Sequence, residues 1–357
     1  MAKELSFTQK LKLDLYARLT DKMAREHVLR TIFWECTLRC NAACRHCGSD
    51  CHVSSSIKDM PSSDFLKVID SVRPHVDPHK TFVIFTGGEP LVRNDLDAVG
   101  MELCKREFPW GIVTNGILLD KKRFASLRSC GMHSATVSLD GFEEDHIWMR
   151  GNPLAFKNAV NAISLMVQEP GFIFDVVTCA NSRNFSSLPQ LKEFLISSGV
   201  RQWRIFTVFP LGRAARDPML QLSGEQFTEL MEFIVKTREE GRISVSYGCE
   251  GFLGGYEGKV RDNFYICQAG LSVASILSDG SISACPSIRS DFHQGNIYHD
   301  DFWSAWQNGF KPYRNREWAR KGVCADCKMF KYCRGNGMHL HDENGDLILC
   351  HYKRLTR

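Results

Sequence analysis

Apolar, β-rich runs alternate along the chain with segments that repeat their apolar residues at helical spacing. The runs predict strands at 29–35, 81–85, 110–113, 134–139, 172–178 and 202–208. The segments between them predict helices at 62–73, 96–106, 121–129, 154–168 and 187–198. This alternation is typical of βα units around a parallel sheet. A closed eight-unit barrel takes about 250 residues, so six units in about 180 residues predict an α/β fold with a partial (β/α)6 TIM-like barrel.

The two ends of the chain differ from this repeating pattern. Apolar residues near the N-terminus recur at every fourth position, which predicts a helix packed across the barrel by that face; they are Leu11, Leu15, Leu19 and Met23. The C-terminal part carries a second dense set of cysteines and predicts a small cysteine-rich domain. The predicted divisions are an N-terminal helical segment at 1–28, the barrel at 29–240 and the small domain at 241–357.

Composition excludes several classes of protein. The 357 residues, 43% of them hydrophobic, are enough to bury a large core. A net charge of +4 is too small to indicate nucleic-acid binding. No apolar stretch approaches the ~20 residues of a membrane span, and the charged N-terminus lacks the apolar core of a signal peptide. The 15 cysteines are therefore expected in a reducing cytoplasm rather than in disulfides.

Three closely spaced cysteines carry the strongest chemical signal, in the run Cys40-Asn-Ala-Ala-Cys44-Arg-His-Cys47. A cubane iron–sulfur cluster has four irons, so three thiolates leave one iron without a protein ligand. Cys36 and Cys51 bracket the run, but neither fits the three-then-two spacing. A zinc knuckle or a set of unrelated buried thiols is the alternative interpretation.

This spacing resembles the signature of the radical S-adenosylmethionine (SAM) superfamily. The resemblance implies a [4Fe-4S] cluster whose open iron binds the amino and carboxylate groups of SAM. It further implies reductive cleavage of SAM to methionine and a 5'-deoxyadenosyl radical, which abstracts hydrogen from a substrate. An external electron donor of the flavodoxin or ferredoxin type would supply the electron. No catalytic side chain is assigned beyond the cluster and the SAM site.

Polar motifs follow the predicted strands, and the active sites of such barrels lie at the carboxyl ends of the strands. Gly-Gly-Glu after the second strand resembles the superfamily motif that holds the SAM amino group. Short polar side chains at other strand ends suit ribose hydroxyls, and Arg150 suits the SAM carboxylate. Asn115 and Asp140 could instead cap turns, and Arg204 could form a structural ion pair. The candidate SAM-binding residues are Gly87, Gly88, Glu89, Asn115, Ser138, Asp140, Arg150, Thr178 and Arg204.

The C-terminal cysteines resemble those of the SPASM domain, which carries auxiliary iron–sulfur clusters. Cys267 and Cys285 flank Gly280 in the spacing C-x12-G-x4-C. The resemblance assigns these two to an inner cluster near the SAM site. It assigns four others to an outer cluster: Cys324, Cys327, Cys333 and Cys350.

One position departs from the SPASM pattern, because Gly337 stands where an inner-cluster cysteine is expected. Cys249 is either the replacement ligand or a buried free thiol. His339 and His341 are close in sequence, but are expected to be solvated or to lie outside the ligand set. The inner cluster is therefore expected to be incomplete, to have an open iron, or to be a two-iron type, giving one or two auxiliary clusters in all.

Proteins resembling this arrangement mostly modify peptides or proteins, which predicts a radical SAM oxidoreductase acting on a peptide or protein substrate. Two alternatives remain open: an enzyme for a small molecule or cofactor precursor, and a non-catalytic iron–sulfur or zinc-binding electron-transfer module. Only 35 residues precede Cys36. This is too short for a winged-helix leader-peptide domain, so a leader would need another surface or a separate leader-peptide-binding protein.

Overall fold

A computed structural model describes residues 5–356 of the chain. Its centre is one nine-stranded sheet in the order β7-β6-β5-β4-β3-β2-β1-β8-β9. The strands are β1 (Thr31–Thr37), β2 (Phe82–Gly87), β3 (Trp110–Thr114), β4 (Met132–Ser138), β5 (Ile173–Ala180), β6 (Gln202–Thr207), β7 (Ser244–Tyr247), β8 (Val273–Ile276) and β9 (Ile282–Ser283). Neighbouring strands from β7 to β8 are parallel, and only the β8–β9 pair is antiparallel.

Helices follow the strands and cover one face of the sheet. The first six are α1 (Phe7–Glu26), α2 (Ser62–Val72), α3 (Leu96–Lys105), α4 (Lys121–Ser129), α5 (Glu143–Arg150) and α6 (Ala155–Gln168). The others are α7 (Leu188–Ser197), α8 (Gly224–Glu240), α9 (Phe302–Asn308), α10 (Lys311–Arg314), α11 (Phe330–Cys333) and α12 (His351–Thr356). Between residues 5 and 356, no helix has the length and apolar content needed to cross a membrane.

The predicted partial barrel is confirmed, because β1 to β6 alternate with helices in the expected βα order. An aromatic core between sheet and helices explains why the apolar runs form buried strands. The Trp34 ring stacks on Phe65 of α2 with the ring centroids 4.3 Å apart, and Phe85 stacks on Trp110 at 5.0 Å. Side chains from three adjacent strands and one helix therefore pack as a single layer.

The sheet extends beyond the six predicted strands at both edges. β7 pairs with β6 through Trp203 and Val245, so the barrel sheet runs past the predicted boundary at 240. At the other edge β8 pairs with β1, which joins the C-terminal region to the barrel. These added strands are short, and four residues give too weak an alternation to detect in sequence.

The N-terminal helix packs by a different face from the predicted one. Leu11, Leu15 and Leu19 are 53%, 57% and 48% exposed, whereas Leu13 is 3% exposed. Leu13 packs in a buried cluster with Phe252, Tyr265 and Tyr332 of the C-terminal region. Exposed ion pairs to α11 and the turn after it add to this contact: Asp14 contacts Lys331 at 2.8 Å, and Asp21 contacts Arg334 at 2.7 Å. The helix therefore lies against the C-terminal region, and the expectation that its leucine stripe packs on the barrel is wrong.

This orientation predicts that replacing two leucines of the same helix lowers the free energy of unfolding by different amounts. Leu13→Ala should lower the free energy of unfolding by about 2–5 kcal/mol, because it leaves a cavity in a buried contact. Leu15→Ala, at an exposed position, should change it by less than about 0.5 kcal/mol. Denaturant unfolding of the two variants measures the difference, and equal losses would contradict the observed orientation.

Candidate active site and auxiliary cysteine sets

The loop that carries the three spaced cysteines follows β1 and is fastened to the end of α5. The Ala43 amide donates to the Arg150 carbonyl at 3.0 Å, and the Arg45 amide donates to the Met149 carbonyl at 2.9 Å. At Gly151, where φ is +62°, a Cβ would stand 2.7 Å from the Ala43 carbonyl oxygen. Glycine is needed here because the loop backbone passes so close.

Each of the three thiols receives an N–H donor. The Ala42 amide lies 3.4 Å from Cys40 Sγ, and the Cys51 amide lies 3.4 Å from Cys47 Sγ. The Cys44 sulfur accepts from an Arg150 guanidinium nitrogen at 3.8 Å. Donors of this kind stabilise negative charge on sulfur, so the loop suits thiolates that bind a metal cluster.

Burial raises the pKa of the Cys40 thiol to about 12, and it also raises the pKa of Cys44. A hydrogen bond from the Cys51 thiol instead lowers the pKa of Cys47 to about 5. Without a metal the first two thiols therefore keep their protons at neutral pH. Cluster binding would release those protons, so assembly should become less favourable in acid.

A cavity of about 180 Å³ lies over the cysteine loop at the carboxyl ends of the strands. The three cysteines line it together with five of the predicted SAM-binding residues: Gly87, Gly88, Asn115, Ser138 and Arg150. His46, Cys51 and Arg213 also line it, and the sequence analysis did not assign them to the site. The structure thus brings the loop and the ends of β2, β3 and β4 to one place.

Gly87 and Gly88 are explained by a close approach within the chain. A Cβ at Gly87 would stand 2.1 Å from the Thr37 carbonyl oxygen, and one at Gly88 would stand 2.2 Å from that of Arg39. The Gly88 amide donates to the Thr37 carbonyl at 2.7 Å. These glycines let the end of β2 follow the start of the cysteine loop, which places both at the cavity.

Glu89 is fully buried, and its carboxylate holds the end of β3. It accepts from the Thr114 hydroxyl and from the Asn115 amide, each at 2.8 Å, and from the Leu91 amide at 3.1 Å. Burial raises the pKa of this carboxyl to about 7 despite those donors. Glu89 contacts two residues that line the cavity but does not line it itself.

Asp140 and Arg150 form a buried ion pair with 2.6 Å between Oδ2 and Nε. Burial alone would raise the pKa of Asp140, but the Arg150 charge, the nearby His46 and His146 and the Arg150 hydrogen bond together outweigh it and hold the value at about 2. The other Asp140 oxygen accepts from the Cys179 amide at 2.9 Å. Asp140 therefore orients Arg150 toward Cys44 and the cavity.

Besides Glu89 and Asp140, which contact lining residues, two other predicted residues do not line the cavity. The Thr178 hydroxyl donates to the Leu139 carbonyl at 2.6 Å and accepts from the Trp203 indole at 2.8 Å. It therefore connects β5 to β6 and to the end of β4. Arg204 pairs with Asp175 and lies 3.1 Å from the Thr136 hydroxyl. Both side chains have partners within the sheet, as expected for structural residues.

The unpredicted cavity residues had weaker sequence signals. Arg213 fastens the loop from the segment after β6, donating to the Cys44 carbonyl at 2.7 Å and the Cys51 carbonyl at 2.9 Å. Its separation of more than 160 residues from the loop hides this role in sequence. His46 lies inside the cysteine run, and its position between two candidate ligands was the signal that could have identified it. Burial lowers the pKa of His46 to about 3, so its ring is neutral.

The C-terminal cysteines separate into two sets. Cys324 and Cys333 are buried, and each has its pKa raised by burial first and then by the nearby Cys350 and Cys327 thiols. These four are the residues assigned to the outer cluster. The Asn336 amide donates to Cys333 Sγ at 3.2 Å, which again favours a thiolate.

The second set contains Cys249, Cys267 and Cys285. Burial raises the pKa of Cys249 to about 12, and the nearby Cys285 and Cys267 thiols raise it further. Cys249 keeps accessible surface although protein atoms surround it. Within residues 5–356, no three His, Cys, Asp or Glu side chains converge closely enough to hold a single metal ion. A cubane does not need such convergence, because each thiolate binds its own iron.

Comparison with known proteins agrees with this architecture. The radical SAM superfamily model matches residues 34–195, and the SPASM model, an iron-sulfur cluster-binding domain, matches residues 267–328. The chain is 24% identical over 349 residues to the AdoMet-dependent heme synthase of Nitratidesulfovibrio vulgaris, covering 91% of this chain and 92% of the relative. It is 29% identical over 318 residues to the mycofactocin maturase MftC of Mycolicibacterium smegmatis, covering 85% and 77%.

A solved structure shares the fold. Native anSMEcpe with bound AdoMet and Cp18Cys peptide superposes with a TM-score of 0.70 at 19% identity, covering 92% of this chain and 94% of that one. The chain is a radical SAM enzyme with a C-terminal SPASM domain. The first domain implies a [4Fe-4S] cluster and SAM, and the second implies auxiliary iron–sulfur clusters.

The position of Arg150 predicts a double effect of its removal. Arg150→Ala should weaken SAM binding, because a charge-assisted contact is worth roughly 1.5–3 kcal/mol. It should also destabilise the fold by about 3–5 kcal/mol, because Asp140 would keep an unpaired buried charge. Calorimetric titration with SAM and denaturant unfolding measure the two effects. In Asp140→Asn/Arg150→Ala the stability loss should shrink while SAM binding stays weak, and recovered SAM affinity would contradict the assignment.

The raised pKa of Glu89 predicts a pH dependence of SAM binding. Glu89 contacts Thr114 and Asn115, which line the cavity, so its ionised carboxylate would attract the SAM ammonium group by its charge from behind these residues. Its pKa of about 7 means that the ionised fraction grows as the pH rises through neutrality. SAM affinity should therefore increase between about pH 6 and about pH 8. Glu89→Gln should bind SAM more weakly and lose that increase. Calorimetry of the two proteins tests this, and an identical pH profile would remove Glu89 from SAM recognition.

Proposed function

We propose that this protein is a radical SAM oxidoreductase that modifies a peptide or protein. Cys40, Cys44 and Cys47 would hold the cluster with the open iron. When bound, that cluster supplies the electron that cleaves SAM and so starts hydrogen abstraction from the substrate. An external flavodoxin- or ferredoxin-type donor would provide the electron, and a reducing cytoplasm suits the fifteen free cysteines.

The protein's own residues would bind and orient SAM. Gly87, Gly88 and Asn115 form one cavity wall, and Ser138 offers a hydroxyl to a ribose. Arg150 would bind the SAM carboxylate, with Asp140 fixing the guanidinium. Arg213 keeps the cysteine loop closed over the cavity through its carbonyl contacts.

The observation that carries the substrate class is the pairing of Arg213, which lines the cavity and is not assigned to SAM. It pairs with Asp50 at 3.0 Å and donates to two carbonyls of the cysteine loop, so its charge is compensated. A substrate with several carboxylates would have to displace Asp50, whereas a peptide segment would not.

Relatives supply further support. MftC is a maturase, and another relative, from Bradyrhizobium diazoefficiens, is a PqqA peptide cyclase, 23% identical over 313 residues. The auxiliary clusters suit an oxidation, because a substrate radical left after hydrogen abstraction must pass on one electron. A separate leader-binding protein is part of the proposal.

A small-molecule substrate is the second candidate. The heme synthase relative matches along 91% of this chain and 92% of its own length. A porphyrin substrate such as a coproporphyrin carries several carboxylates, and the pairing of Arg213 with Asp50 argues against it. Unpaired cations at the cavity would have favoured it.

The test of the radical SAM assignment is production of 5'-deoxyadenosine by the reconstituted, reduced protein. We expect turnover of SAM in the wild type and none in a variant with Cys40, Cys44 and Cys47 all changed to alanine. The auxiliary cysteines are distant from this loop in sequence and should bind their clusters without it, so the variant should keep a substantial part of its iron. Continued cleavage of SAM by the triple variant would contradict the assignment.

The substrate class is tested in the same assay with two probes, a library of short synthetic peptides and Fe-coproporphyrin III. We expect peptides to stimulate 5'-deoxyadenosine formation and to lose the mass of two hydrogens. Stimulation by the porphyrin alone, with carbon dioxide release, would contradict the peptide proposal. The matched control is Arg204→Gln: it frees Asp175 without touching the cavity lining and should leave SAM turnover without substrate unchanged.

A further inference from the structure

Gly337 has no conformational need for glycine. Its φ of −66° and ψ of 144° are open to any residue, unlike those of the neighbouring Asn336, where φ is +64°. A side chain is excluded for another reason. A Cβ at Gly337 would stand 2.6 Å from Cε1 and 2.9 Å from Nδ1 of His339. The His339 imidazole therefore occupies the space that a residue 337 side chain would take.

This imidazole lies beside the inner cysteine set. The same Cβ position at Gly337 is 3.1 Å from the carbonyl oxygen of Glu250, the residue next to Cys249. Cys249 in turn lies near Cys267 and Cys285. The ring therefore stands at the segment that carries one of the three thiols of this set.

His339 is 8% exposed, and its Nε2 has no hydrogen-bond partner among the described residues. Leaving a buried nitrogen unpaired is costly, so a missing partner is expected. The His339 ring packs against Phe209, with the ring centroids 4.8 Å apart. Phe209 also lies beside the cysteine loop of the barrel, 3.9 Å from a Cβ built at Gly48. The His339 ring therefore packs on a residue that also borders the cysteine loop.

We propose that His339 is a ligand of the inner auxiliary cluster and takes the place of the cysteine absent at Gly337. Cys249, Cys267 and Cys285 would supply the three thiolates, giving a three-cysteine, one-histidine site. Imidazole ligation of iron–sulfur clusters is chemically established and raises the reduction potential relative to all-thiolate ligation. The proposal rests on the auxiliary clusters and is independent of the substrate class.

His341 provides a matched control. It is buried two residues further on and also has an unpartnered Nε2. Its ring, however, packs on Trp318 at 5.1 Å, and its Nδ1 contacts the Gly337 carbonyl at 3.2 Å. The His341 ring does not occupy the space that a residue 337 side chain would take, so its removal should leave the inner cluster intact.

The experiment uses the full-length variant in which Cys40, Cys44 and Cys47 are changed to alanine. The protein is labelled with ¹⁵N-histidine, and its clusters are reconstituted and reduced. In this background only auxiliary clusters contribute to pulsed EPR, and no turnover is needed. We expect a nitrogen hyperfine coupling that persists in His341→Ala and disappears in His339→Ala. The His339→Ala variant should also lose about two to four irons per chain by chemical and Mössbauer analysis.

A rescue variant separates ligation from packing. In Gly337→Cys/His339→Ala the ring is gone, so a cysteine side chain has room. The double variant should regain the lost iron without nitrogen coupling and show a lower midpoint potential for the inner cluster. Absence of nitrogen coupling in the parent protein, or its loss in His341→Ala instead, would overturn the proposal. Full iron retention in His339→Ala would overturn it as well.

Discussion

The pairing of β1 with strands on both of its edges is the constraint on which the rest of the structure depends. On one edge Thr31 to Glu35 pair in register with β2, and on the other Thr31 to Trp34 pair with β8 of the C-terminal region. The chain leaves β1 directly into the loop that carries Cys40. One strand therefore fixes the cysteine loop, the Gly-Gly turn and the SPASM domain relative to one another.

A buried ion pair and a hydrogen bond also connect the barrel to the C-terminal region. Glu35 at the end of β1 is 1% exposed; it accepts from the Ser278 hydroxyl and pairs with Arg289 at 2.6 Å, both from the C-terminal region. Breaking one side of such a buried pair is costly, so the two domains are held together by more than apolar contact. Asp140 and Arg150 form a second buried ion pair, within the barrel, that supports the cavity. Rigid support of this kind keeps reactive groups in one geometry.

The barrel could be predicted from sequence because its strands are apolar runs that alternate with segments of helical period, and in β5 and β6 every second residue is buried. The orientation of α1 could not be predicted, since it depends on Leu13 packing in a buried cluster with Phe252, Tyr265 and Tyr332 of the C-terminal region. The exposed leucines of α1 have a clear helical period but do not mark its buried face. Periodicity shows that a helix exists, and long-range packing decides which side it buries.

The candidate site shows the same division between local and long-range information. The cysteine spacing and the polar residues at the strand ends could be recognised in the sequence because each lies in a short segment. Gly87 and Gly88 were predicted to bind SAM, and only the structure shows that they also let the chain approach Thr37 and Arg39. Arg213 was missed because its contacts with the cysteine loop are made across the fold. The space taken by the His339 ring could likewise be found only in three dimensions.

The central claim is that Cys40, Cys44 and Cys47 hold a cluster with one open iron to which SAM binds. Electron-nuclear double resonance of the reduced, reconstituted protein tests this directly, with SAM labelled with ¹⁵N at its amino group and ¹⁷O at its carboxylate. The account predicts strong hyperfine coupling of both labels to the cluster. Absence of coupling from either label in protein that has bound SAM would show that SAM does not bind the open iron, and would contradict the account.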